Sequence, residues 1–409
     1  MLLGIPDKDK IRLGAFLSFQ LKKWLRNHPD QSSDLFICGI CSKPEFQSIL
    51  EGKPLSDSSI YEYLLQKLGF AYNYDDRLAS NYIANAKEML EDLEFDQMAS
   101  FYKRLNRYLK ELESMDEYAL ESITHKALLC MQEVDCSSRS FASLLSYYPI
   151  LDRYMKEICG HFLLTYIHQH TEDEIDRNWM EEHGLLSLKA LRNRYRILNL
   201  FITWEDYYDA ANYCEDLLKA CRQENNVRVA FQTQISRLFI VLKIQPNAFE
   251  SYANVVLENP ILQEESNDPH VYEFYHVVGL YYFIEKNYEQ AWLYFLRSVA
   301  DETYFFPEII FLNYISTLLN KPLPDELVEQ RDIECEDRMY KSIYTYYCLK
   351  NKGETLQTLE NYLWDHCKDE IYRFSPSWVM KDIIRTELEW ISNQTGDTRK
   401  MNRFMNLED

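Results

Sequence analysis

Four groups of residues in this chain have the types and spacing that chemistry requires: Cys38/Cys41, His168 to Glu172, Ser42 to Lys53 and Lys189 to Arg196. Cys38-x-x-Cys41 supplies half of a zinc ligand set, but no second Cys or His pair follows at finger spacing. Both thiols sit among Phe36, Ile37 and Ile40, so they read as core packing. His168-Gln-His170-Thr-Glu172 has ligand residue types, yet side chains at i and i+2 do not share a helix face. Histidines at a helix end also suit its dipole. Neither metal nor cofactor is expected. The sequence has no G-x-x-x-x-G-K-[ST], no G-x-G-x-x-G and no G-x-S-x-G, the loops that cradle phosphates or raise a nucleophile. An enzyme is therefore not expected.

The elements that must position the other two groups follow from composition. The chain has 409 residues, 46% of them hydrophobic, which suffices for two or more packing units. Only 10 Gly and 12 Pro are present, too few turn-makers for a large β architecture. No stretch reaches the roughly 18 apolar residues of a membrane helix. The N-terminus meets charge at Asp7, before a signal-peptide core could form, and ten cysteines are scattered without the dense spacing of a secreted scaffold. These features predict a cytoplasmic protein with reduced, mostly buried thiols. The net charge is −21, yet residues 1–75 hold nine basic and nine acidic side chains, so the whole excess lies in residues 76–409. Such a balance excludes a protein whose entire surface binds nucleic acid.

Residues 8–28 read as an amphipathic helix with Leu13, Phe16, Leu17, Leu21 and Trp24 on one face. Ser42 and Glu45 form an S-x-x-E capping box that opens a second helix, stopped by Gly52. Ser56 to Gly69 repeats the design with Ile60, Tyr61, Leu64, Leu65 and Leu68. Residues 1–75 thus form a compact head, and 76–409 a helical body. In the body, Phe274 to Val299 matches a tetratricopeptide repeat, with Gly279 at the small position and Tyr282, Asn287-Tyr288, Ala291 and Phe295 at the expected offsets. Weaker registers fit Leu198 to Cys214, Phe249 to Val256 and Tyr346 to Tyr362. The turn aromatics Tyr207, Phe249 and Tyr288 are spaced by 42 and 39 residues, so the hairpins are stretched. Residues 80–190 are helical and fit the repeat poorly. The predicted fold is all-α: a helix-turn-helix domain followed by a right-handed tetratricopeptide-like α-solenoid with a concave face.

The run around residues 40–53, followed by a helix ending Lys67-Leu68-Gly69, resembles a helix-turn-helix of the lambda-repressor type. Joined to a tetratricopeptide-like body, it makes the chain similar to the RRNPP family of peptide-pheromone receptors. That resemblance implies that Ser42, Lys43, Gln47 and Ser48 face the major groove, where Gln reads adenine and Lys or Ser holds phosphate. Lys53 and the 8–28 helix would add phosphate contacts. Glu45, Leu50 and the neutral head depart from the pattern, and the other reading of the head is a packing or dimerisation module.

In the body the register places Arg192, Tyr195 and Asn199, then Gln234 and Arg237, then His276 and Phe283 along the inner groove. An asparagine amide can satisfy both the N–H and the C=O of an extended peptide, as RRNPP-like grooves do. The stretch Ser187 to Leu200, read as one helix, carries Lys189, Arg192, Arg194 and Arg196 and no acid. Those cations suit a peptide carboxylate, or they pair with acids such as Glu172 to Asp176 or Glu215 and Asp216. The expectation is a homodimeric quorum-sensing-type transcription regulator whose binding to a double-stranded DNA operator is controlled by a short signalling peptide. The alternative is a Rap-like solenoid that binds a response regulator or another protein without DNA.

Overall fold

Helix follows helix through this chain because apolar residues recur at helical spacing almost everywhere and breakers are few. The computed structural model describes residues 4–134, 137–170, 175–263, 268–299, 306–324, 327, 338–368 and 377–405. Among these are twenty-two α-helices and no strand. Their contacts divide the chain into two compact units, Met1–Thr233 and Gln234–Asp409.

The first unit begins with α1 (Asp7–Asn27), α2 (Ser33–Ile37), α3 (Lys43–Leu50) and α4 (Ser59–Lys67). Leu13, Phe16, Leu17, Phe36, Phe46, Ile49, Tyr61, Leu64 and Leu65 form their shared core. Burying each large side chain is worth roughly 1.5–3 kcal/mol. Gly14 lets α1 and α3 cross at backbone distance, since a Cβ there would overlap the Ile49 carbonyl oxygen. The predicted capping box is present in full. Ser42 Oγ accepts from the Glu45 N–H at 3.4 Å, and Glu45 Oε2 accepts from the Ser42 N–H at 2.8 Å. Gly52 stops the helix at φ +74°, where a side chain would be strained. Buried Lys10 ties the loop between α3 and α4 by donating to the carbonyls of Leu55 and Ser56 at 2.6 and 3.2 Å.

The unit continues with α5 (Asp76–Glu94), α6 (Met98–Glu113), α7 (Ala119–Gln132), α8 (Ser138–Tyr147), α9 (Arg153–Gln169) and α10 (Arg177–Glu182). The four-helix head is fastened to them. Arg12 Nε donates to the Ile150 carbonyl at 2.8 Å, and Phe19 meets Tyr147 edge-on at 5.4 Å. After α4 the chain makes a parallel bridge: the Ala71 N–H donates to Glu117 and the Ala119 N–H to Ala71, at 2.9 and 3.0 Å. Then come α11 (Leu191–Thr203) and α12 (Tyr207–Glu224), and α13 (Val227–Ile244), which carries the chain into the second unit.

The second unit contains the rest of α13, α14 (Phe249–Leu257), α15 (Pro260–Gln263), α16 (Pro269–Ile284) and α17 (Tyr288–Ser298). It ends with α18 (Phe306–Leu319), α19 (Arg338–Asn351), α20 (Leu356–Tyr362), α21 (Ser377–Thr395) and α22 (Arg399–Met405). Tyr207, Phe249 and Tyr288 each occupy the first position of their helix, the common register read from the sequence. The wide spacing has a structural cause: a 3-10 turn at Pro246–Ala248 and the short α15 lie between the repeat helices. Gly279 serves the α16–α17 crossing, since a Cβ there would sit 2.7 Å from the Phe295 ring. Further along, the wholly buried Glu387 carboxylate accepts from Lys350 Nζ at 2.6 Å and from the Tyr346 and Tyr347 hydroxyls at 2.7 and 3.3 Å.

Candidate functional site

At the head, α3 presents Ser42, Lys43 and Gln47 to solvent, with Lys53 exposed just beyond the helix and Ser48 half-buried. Four of the five have an acidic partner close by. Ser42 Oγ bonds Glu45 Oε2 at 2.7 Å, and Lys43 Nζ lies 2.5 Å from Asp34 Oδ2. Gln47 Nε2 and Lys53 Nζ both donate to Glu51, at 2.9 and 2.7 Å. Hydrogen bonds from the Ser42 side chain and backbone hold the Glu45 carboxyl below its ordinary value, and those from Lys53 and Gln47 do the same for Glu51. Two lysines therefore share this surface with Asp34, Glu45 and Glu51. Exposed pairs of this kind are worth only about 0–1 kcal/mol, so a stronger anion can displace them. On α1, Lys22, Lys23 and Arg26 are exposed.

The two cysteine and histidine groups resolve into separate roles. Cys41 is half-buried, but Cys38 is exposed, because the five-residue α2 ends before it and Gly39 turns the chain at φ +78°. The expectation of two core thiols thus holds only in part. His170 stacks on Tyr166 at 4.0 Å and contacts its carbonyl oxygen through Nδ1 at 3.0 Å, while His168 is exposed. Glu172 lies outside the described residues. No cluster of three His, Cys, Asp or Glu side chains among the described residues could hold a metal ion.

In the body, α11 starts at Leu191 and not at Ser187, so Lys189 precedes the helix. Its N-terminus has no capping side chain of its own. Carboxylates from two other helices take that place: Glu157 of α9 accepts the Lys189 and Ala190 N–H groups at 2.7 and 3.1 Å, and Glu94 of α5 accepts that of Arg192 at 3.2 Å. Burial pushes the Glu94 carboxyl up to about 7, with the Arg192 N–H opposing and Glu224 and Glu157 adding to the rise.

Arg192 is half-buried, and its guanidinium meets Asp96 at 3.2 Å, a carboxylate shared with Arg228 at 3.1 Å. Arg194 lies over the Tyr213 ring at 5.5 Å, and Arg196 Nη2 is 3.2 Å from His161 Nε2. The acidic neighbour of Arg192 is thus Asp96, at the end of α5. Of the acids named from the sequence, Asp176 caps α10 and Asp216 pairs with Lys219. Tyr195 is 8% exposed, and Asn199 is half-buried one turn beyond it.

The second unit holds the remaining groove candidates. Gln234 accepts from Asn259 at 3.0 Å, and Arg237 stacks on Tyr252 at 4.3 Å while donating to its hydroxyl at 3.3 Å. His276 Nδ1 is 2.8 Å from Glu308. Burial opposes its charge, but Glu308, with Glu273 beyond, outweighs that and raises the imidazole above its ordinary value. Phe283 is 3% exposed among Tyr288, Phe295, Phe311 and Tyr314.

This fold has a counterpart among solved structures. The chain is similar to the apo form of the quorum sensor NprR from B. thuringiensis, with a TM-score of 0.58 and 11% identity over 81% of this chain and 98% of that one. No family model matches the sequence, and no curated protein does. No described helix is long and apolar enough to cross a membrane.

Sequence reasoning missed Glu94, Asp96, Glu157, His161 and Asn193, the residues that hold the basic stretch of α11. Asn193 donates to Glu157 Oε2 at 2.9 Å and faces His161 Nδ1 at 3.2 Å. Only one had a local signal. Asp96 adopts φ +59° at the turn after α5, a conformation that Asp tolerates better than most residues.

Proposed function

We propose that this protein is a quorum-sensing-type regulator of the RRNPP kind: a short signalling peptide binds along the helical body and controls the binding of a homodimer to a DNA operator. The observation that carries the reading is the all-helical fold shared with the quorum sensor NprR over 81% of the chain. Two local features support it. A capped α3 offers Lys43 and Gln47 to solvent. Arg192 and Arg228 converge on Asp96, a pairing for which a peptide carboxylate would compete. On this account the protein is not an enzyme and works in the cytoplasm.

The DNA arm is tested with the double variant Lys43→Ala, Gln47→Ala. Specific affinity is expected to fall roughly tenfold or more, since a bidentate base contact is worth about 1–3 kcal/mol. Unchanged operator binding would remove α3 from the interface. For the peptide arm, titration calorimetry of a cognate peptide against Arg192→Ala and Asn199→Ala is expected to show losses of about 1–3 kcal/mol for unpaired peptide groups. Wild-type affinity in both variants would exclude that stripe.

A second reading is favoured by one specific observation. The acids Asp34, Glu45 and Glu51 outnumber the two lysines beside α3, a surface better matched to a basic protein partner than to phosphate. Under that reading the head would bind a basic protein and not DNA, and no operator affinity with the steep salt dependence of counterion release would be measured.

A further inference from the structure

The second unit contains a pocket of about 160 Å³ between α14, α16 and α17 that none of the candidate groove residues lines. Its construction follows from the sequence. Phe274, Val278 and Tyr282 recur every four residues and make one stripe of α16, while Glu250 and Asn254 make a parallel stripe of α14. Gly279 brings α17 close, which sets Tyr294 beside Tyr282 with ring centroids 5.6 Å apart. The floor is apolar, from wholly buried Phe249 and Phe274, and Phe249 is fixed by stacking on Tyr281 at 4.3 Å.

The rim is of a different character. Its polar lining residues are Glu250, Asn254, Tyr282 and Tyr294, and no lysine, arginine or histidine lines the pocket. Glu250 is exposed. Burial, with Tyr294 and Glu250 adding to it, pushes the Tyr282 hydroxyl up, so that group stays protonated and neutral. Arg297 already lies over the Tyr294 ring at 5.7 Å, so that ring accepts a cation. An apolar floor beneath a rim of acceptors and one negative charge matches a group with a methylene stem and a cationic head.

We propose that this pocket is a docking site for a lysine or arginine side chain of a protein partner, the stem lying on Phe249 and Phe274 and the cation bonding Glu250 and the Tyr282 hydroxyl. The assignment does not depend on the proposed peptide groove or on DNA binding. It is tested on the full chain by saturation-transfer NMR with Nα-acetyl-arginine amide and Nα-acetyl-lysine amide, against the neutral Nα-acetyl-citrulline amide. At least one cationic probe is expected to bind clearly better than citrulline. Its affinity should fall several-fold in Glu250→Gln, the loss of an exposed charge pair, and should fall in Tyr282→Phe. Glu354→Gln, at an exposed acid elsewhere in the unit, should leave it unchanged. Equal binding of citrulline, or an equal loss in Glu354→Gln and Glu250→Gln, would overturn the proposal by reducing the signal to diffuse attraction. Because Glu250→Gln is isosteric and exposed, thermal melts of both variants are expected to overlay the wild type.

Discussion

Glu94 shows how one residue couples the helix that carries the proposed peptide contacts to pH. Its carboxyl is pushed up to about 7 from an ordinary 4.5, chiefly by burial. In the unfolded chain it ionises near 4.5, while in the folded chain it keeps its proton to about 7. Folding therefore loses stability as pH rises between those values, and above about 7 the loss is complete and constant. The full cost is on the order of 3 kcal/mol by the usual conversion of pKa shift to free energy. Glu94→Gln keeps an acceptor for the Arg192 N–H and removes the titration. Urea unfolding at pH 5 and pH 8 is expected to show a clear drop in wild-type midpoint and a smaller one in the variant. Parallel drops would mean that Glu94 is not the titrating group. Gln at this position should also leave the Arg192–Asp96 pair intact, so peptide affinity should lose part of any pH dependence between those values.

At the scale of elements, two small features decide whether α3 is presented at all. Gly14 permits the α1–α3 crossing, and Gly14→Ala would force the helices apart against the Ile49 carbonyl. Overpacking of this kind costs about 1–3 kcal/mol. Limited proteolysis is expected to cut residues 33–55 faster in this variant, with the second unit unaffected; wild-type resistance would show that the crossing can relax. Ser42→Ala removes one half of the capping box, and a cap of this type is worth about 1 kcal/mol. Its melt should shift modestly downward. The Glu45 carboxylate would lose the Ser42 hydroxyl but keep the backbone N–H of residue 42, so any DNA affinity should fall no further than the loss of stability explains.

At the scale of the whole molecule, the attachment of the head matters for how a signal could reach it. Arg12, Phe19 and the Ala71–Tyr118 bridge hold the head against residues 117–150 of the same unit. A head fastened this way moves with the helices beneath it, unlike one on a flexible tether. Arg12→Ala is expected to quicken hydrogen exchange at Ala71 and Ala119 while leaving the amides of α3 protected. Unchanged exchange would show that the bridge does not need the guanidinium. Under the proposed DNA reading, one head with a helix as short as α3 would offer few base contacts, so specific binding would call for two. Sedimentation of the protein with operator DNA is therefore expected to show a dimer on the duplex; monomer alone at micromolar concentration would count against the DNA reading.

The sequence alone was enough for the all-α class, the capping box at Ser42 and Glu45, the stop at Gly52 and the common place of Tyr207, Phe249 and Tyr288 at helix starts. These are local properties: a cap, a turn and a periodicity involve residues a few positions apart, so their physics is written in adjacent letters. What the arginines of α11 meet was decided elsewhere. Asp96 lies 96 residues before Arg192 in the chain, yet in space the two are 3.2 Å apart because α5 and α11 pack together. The same holds for Glu157 at the start of α11 and for Phe283, whose helical stripe is compatible with a groove until the neighbouring Phe295, Phe311 and Tyr314 enclose it. A register error of one residue turns a side chain by about 100° around a helix. Spacing can therefore say that a residue lies on a helix, while only packing between distant helices settles which face is covered and which charge lies opposite.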